Sequence, residues 1–89
     1  MSTLKPIFTL DEWAQIVRGM KLSPRRAQVL ECLCLGYSDK QISASMNIGV
    51  AGVRTQIQAM FAQFEVQDRV SMVLRTVYYF RKKIEEVEI

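Results

Sequence analysis

"NIGVAGVRTQIQAM", residues 47–60, decides how the rest of the chain is read. From Val53 onward its apolar residues fall at Val53, Ile57 and Met60, then at Phe61 and Phe64, which is the spacing of one helical face. Two glycines, Gly49 and Gly52, nevertheless stand where that helix should begin. A glycine inside a helix costs about 0.5–1 kcal/mol relative to alanine. Their presence therefore asks for a reason.

Working back from this stretch, "YSDKQISASMNIG" opens with Ser38 and carries Gln41 three residues later, a capping-box spacing. Ile42 and Met46 recur at one helical turn, and Asn47-Ile48-Gly49 supplies turn chemistry after about nine residues. The pattern predicts a short helix, a tight turn and a longer helix from near Val50. Further upstream, "LSPRRAQVLECLCLG" places Ser23 as an N-cap and Pro24 at the first helical position, with Gly36 ending the helix in the left-handed conformation. Ala27, Leu30, Leu33 and Cys34 form its expected buried stripe. Arg26 occupies the third helical position, where a glutamate would suit the helix dipole better. The first element, "TLDEWAQIVRGMK", has Thr9 and Glu12 at capping-box spacing, and Leu10, Trp13, Val17 and Met20 on one face with Ile16 beside them.

Downstream, a long helix is expected from an N-cap at Asp68 to at least Lys83. Val70, Val73, Val77, Phe80, Ile84 and Val87 alternate spacings of three and four, as in a heptad seam, and Leu74 and Tyr78 make a second apolar strip. One strip suffices to attach a helix to its own domain. The seam is therefore read as a homodimer interface formed by Val70, Val73, Val77, Phe80 and Ile84; the competing reading has the N-terminal helix, with Trp13 and Val17, covering it within one chain. The expected architecture is all-α: one domain over residues 1–89, five helices joined by short turns, with no internal repeats and no strand-like alternation of useful length.

Composition excludes several classes. No apolar run approaches the roughly 18–20 residues of a membrane-spanning helix, so no membrane partner is expected. The N-terminus meets Pro6 and the acidic pair Asp11-Glu12 before any long apolar stretch, which is no signal-peptide pattern. Cys32 and Cys34 are two apart in a helical segment and point to different faces, so both are read as reduced residues of an intracellular, cytoplasmic protein. With no histidine, no metal-ligand cluster and no phosphate loop, neither an enzyme nor a metal or other cofactor is expected. From Arg18 to Lys83 eleven Lys and Arg face four acids, and the other acids lie toward the ends. Such a basic middle suits a polyanion.

A short capped helix, a glycine-containing turn and a longer amphipathic helix make a helix-turn-helix, whose second helix enters the major groove of DNA. Leu22-Ser23-Pro24-Arg25, Val29-Leu30, Gly36, Ser38-x-Lys40-x-Ile42, Ile48, Val53-Arg54-Thr55, Phe61, Val66 and Asp68-Arg69 stand in the order and at the offsets of one family. From Leu22 to about Leu74 the chain resembles the DNA-binding domain of the LuxR/NarL/FixJ (GerE-type) regulators. The resemblance implies a four-helix domain whose third helix reads DNA and whose fourth often supports dimerisation. Four positions depart from the family pattern: Arg26 replaces a usual glutamate, Gly49 a Ser/Thr cap, Gly52 a threonine that commonly contacts phosphate, and Gln56 a frequent histidine.

On the helix from Val50 the residues off the buried stripe are Ala51, Arg54, Thr55, Gln58 and Ala62. Arg54 and Gln58 lie one turn apart and, with Thr55, are the candidate base contacts. Lys40, Ser38, Arg25, Arg26 and Arg69 are candidate phosphate contacts. At Gly52 a missing side chain would let helix amides approach a phosphate, against the alternative of drift at a tolerant helix end. Arg81-Lys82-Lys83 reads as a solubilising helix end. About twenty residues precede the motif, too few for a receiver or ligand-sensing domain, and Met1 with the charged tail reads as a complete small protein. The expected function is a sequence-specific DNA-binding transcriptional regulator acting on double-stranded DNA as a homodimer. The alternative is a helix-turn-helix without DNA affinity that docks on a protein partner, another regulator or polymerase.

Overall fold

The computed structural model describes residues 7–88, with five helices and no strand among them: α1 (Leu10–Gly19), α2 (Pro24–Cys34), α3 (Asp39–Met46), α4 (Val50–Phe64) and α5 (Arg69–Glu88). Four of the five starts follow from side chains three residues away. Thr9 and Ser38 form reciprocal capping boxes with Glu12 and Gln41. Ser23 Oγ accepts from the Arg26 amide at 3.2 Å ahead of Pro24, and Asp68 Oδ1 accepts from the Ser71 amide at 2.7 Å. Each of these bonds satisfies an amide that the helix itself leaves without a partner. The α2 terminus is equally local. Gly36 takes φ +77°, its amide donates to Leu33 and the Tyr37 amide to Cys32, both at 3.0 Å, so two terminal carbonyls are answered by the chain's reversal.

Helix α2 occupies the centre, packed against α3, α4 and α5. That position buries Val29 and Cys32 as well as the expected Ala27, Leu30 and Leu33, and leaves Cys34 only half-buried. On α1 the face is turned from the expected one: Ile16 is fully buried at its centre and Leu10 is 88 % exposed. Phe8 explains the turn. It stacks on Trp13 with ring centroids 6.2 Å apart and meets the edge of Phe80 at 5.4 Å, so the residue before the cap staples the first turn of α1 onto α5.

Helix α5 docks on a line centred on two residues outside the expected heptad seam. Met72 and Thr76 are fully buried, and the Thr76 hydroxyl donates to the Met72 carbonyl at 3.0 Å, which lets a polar residue sit where a valine would. The expected seam divides accordingly. Val73 and Phe80 pack against the chain's own core, Val77 is half-buried, Val70 is 68 % exposed, and the Ile84 and Val87 side chains lie outside the described residues. Tyr79 also reaches back to α1, where its ring lies over Gly19.

Candidate nucleic-acid interface

Helices α3 and α4 and the turn between them form the unit that carries the candidate site. Asn47 takes the left-handed conformation at φ 55°, and the Ile48 amide donates to the Ser43 carbonyl at 3.2 Å. The Ser43 hydroxyl donates in turn to the Ile48 carbonyl, tying the turn to α3 from both ends. The inner edge of α4 is then locked: Val53, Ile57, Met60 and Phe61 are buried, and Phe64 is half-buried. Burying a side chain of that size is worth about 1.5–3 kcal/mol, so four in register leave α4 little freedom to roll.

Every residue expected on the outer edge of α4 is exposed: Ala51, Arg54, Thr55, Gln58 and Ala62. Arg54 is 70 % exposed and its Nε donates to Asp39 Oδ2 at 3.2 Å. The Thr55 hydroxyl donates to the Ala51 carbonyl at 3.0 Å, leaving its oxygen free to accept. At the start of α4, Gly49 has φ −68° and ψ 158°, extended backbone open to any residue, and no side chain caps the first amides.

The candidate phosphate contacts separate into two groups. Lys40 and Arg25 are exposed. Ser38 uses its hydroxyl oxygen to accept from the Gln41 amide, so its hydrogen stays available to a phosphate. Arg26 and Arg69 have partners inside the chain. Arg26 donates to Gln63, nine residues beyond Arg54 and half a turn round α4, so it belongs to the far end and other side of that helix. Arg69 donates to the Tyr37 carbonyl at 3.3 Å and to Asp39 Oδ1, joining α5 to the start of α3. Asp39, which no local signal distinguishes, thus receives one arginine on each oxygen.

Away from this face, burial pushes the Cys34 thiol up to about 11, with the Glu31 carboxylate adding to the effect, and raises Cys32 by the same chief cause. Both thiols are unpaired. Among the described residues no helix is long and apolar enough to cross a membrane.

Residues 20–84 match the family model described as bacterial regulatory proteins, luxR family. The chain belongs to the luxR family. The match spans α2 to α5, so the family's DNA-binding helix-turn-helix domain accounts for most of the chain, and α1 lies outside it. Neither curated proteins nor solved structures give a match. The matched residues include all of α4, the helix for which the sequence predicts DNA contact.

Proposed function

We propose that this chain is a sequence-specific transcriptional regulator that inserts α4 into the major groove of double-stranded DNA and acts as a homodimer, with no catalytic step. One observation carries the reading: the inner edge of α4 is buried at Val53, Ile57, Met60 and Phe61, while Arg54, Thr55 and Gln58 are exposed on its outer edge. Arg54 suits guanine O6 and N7, Gln58 suits adenine N6 and N7, and the Thr55 methyl suits a thymine methyl. Lys40, the Ser38 hydroxyl, Arg25 and the uncapped amides around Gly52 take the phosphates, which fix register without reading sequence. Arg26 and Arg69 keep their intrachain partners and serve the scaffold first.

The dimer surface on α5 moves by comparison with the heptad seam. Val70, Leu74 and Tyr78, on successive turns, are 68 %, 51 % and 71 % exposed, with Val73 and Val77 at their flank. Two copies joined there present paired α4 helices to half-sites about 34 Å apart. Arg54 is the one basic residue of α4, and the Asp39 carboxylate offsets it. That observation favours the second reading, in which α4 docks on a protein partner.

Selection from randomised duplexes at two salt concentrations separates the two. The regulator enriches a two-fold symmetric motif, with affinity falling steeply between about 50 and 200 mM salt. Absence of binding at about 50 mM salt contradicts it and favours the protein partner.

A further inference from the structure

Asp39 stands at the first position of α3, its side chain 22 % exposed, between two arginines from different helices. Oδ2 accepts from Nε of Arg54 on α4 at 3.2 Å, and Oδ1 accepts from Nη2 of Arg69 on α5. The second terminal nitrogen of Arg69 is held by the Tyr37 carbonyl at 3.3 Å, so that guanidinium is tied on two sides. We propose that Asp39 is a specificity-determining positioning residue, which grips Arg54 by its Nε edge and presents the two terminal nitrogens to a base. This rests on the proposed reading of the major groove by α4.

The chemistry of the guanidinium supports this role. Recognition of guanine needs two parallel donors, and the Nη1/Nη2 edge is such a fork once Nε is occupied elsewhere. A long side chain that is 70 % exposed would otherwise have to be ordered at the moment of binding, which subtracts from affinity. Held by Asp39, Arg54 loses part of that freedom beforehand. The same grip keeps Arg54 from swinging to the nearest phosphate, a contact it would make equally well on any sequence.

Arg69 answers the complementary difficulty. A lone carboxylate at a DNA-facing surface would repel phosphates, but with both arginines the trio carries a net positive charge. Asp39 therefore raises the affinity for the right sequence and lowers the affinity for every other. The ratio of the two is what decides occupancy in a genome.

The test uses Asp39→Asn, which keeps the side-chain shape, in the wild-type and Arg54→Ala backgrounds, with circular dichroism to confirm helical content. Affinities are measured for the selected site and for an unrelated duplex at one salt concentration. The ratio is expected to fall about tenfold on Asp39→Asn, with unrelated-duplex affinity unchanged or higher, and to show no further fall once Arg54 is alanine. A ratio that survives the substitution, or that falls equally without Arg54, overturns the proposal. Without any DNA, the Arg54 Nε–H resonance in a proton–nitrogen spectrum should shift and exchange faster in the variant. An unmoved resonance removes the grip itself. If that resonance responds while no duplex is ever enriched, the groove reading has failed, the specificity role falls with it, and the contact is a tie between helices only.

Discussion

A β-carbon added at Gly19 would overlap the Tyr79 hydroxyl and stand 2.8 Å from Cζ of the same ring, whereas at Gly52 it would meet only Ile48 Cδ1 at 3.8 Å. At Gly49 nothing lies within 4 Å. The first glycine belongs to the end of the molecule where α1 and α5 pack, and its small size is what allows the Tyr79 ring to lie on the backbone. The other two belong to the α3–α4 face, where neither sterics nor a positive φ calls for glycine. Packing dictates residues at one end; at the other it leaves them open. Whatever favours Gly49 and Gly52 acts from outside the chain, or nothing does.

The largest effect that sharpens this contrast lies on α5. Met72→Ala should lower stability by about 2–5 kcal/mol in chemical denaturation, while Val70→Ala should stay within about 0.5 kcal/mol. The opposite order would mean that α5 docks by the strip exposed here. Gly19→Ala comes next, with an expected loss of about 1–3 kcal/mol from overpacking. In a Tyr79→Ala background the same change should cost nothing, because the clash is gone; a loss that persists there would trace the cost to something other than the ring.

At the other end the sign reverses. Gly52→Ala should raise stability by about 0.5–1 kcal/mol, and Gly49→Ser should add a few tenths through a new cap bond. If Gly52→Ala also weakens DNA affinity, close approach of a phosphate explains the glycine. Unchanged affinity would leave only drift at a tolerant helix end.

The smallest effect is electrostatic. The Ser71 amide on Asp68 holds that carboxyl below its ordinary 3.8, so the contribution is present above the ordinary value and disappears as pH falls through the lowered one. Thermal melts of Asp68→Asn should show a flatter acid limb than wild type; identical limbs would show that the cap bond carries no pH dependence.

The sequence disclosed those features whose partners are close in the chain. Thr9, Ser23, Ser38 and Asp68 each cap an amide three residues on, and Gly36 needs only its own φ. The α4 face was legible because one run of apolar residues at helical spacing meets one core. On α5 several apolar lines satisfied the same spacing, and the one that docks contains a threonine, whose burial depends on a bond to its own helix. The apolar spacing of α1 puts Leu10 on the buried face, but the stacking of Phe8 on Trp13 sets the helix's rotation and leaves Leu10 exposed. The Asp39 pairs link residues 15 and 30 apart, and no local pattern announces such a meeting. The same distance hid the contact of Tyr79 with Gly19.

The central claim is that the outer edge of α4 reads sequence while residues around it hold the backbone. Competition binding of Arg54→Ala and Lys40→Ala, each against the selected site and an unrelated duplex over a salt series, tests it most directly. Arg54→Ala should lose about 1–3 kcal/mol on the selected site and little on the unrelated duplex. Lys40→Ala should weaken both alike and reduce the salt slope by about 1. If both substitutions weaken the two duplexes equally, α4 contributes charge without reading bases, and the claim is wrong.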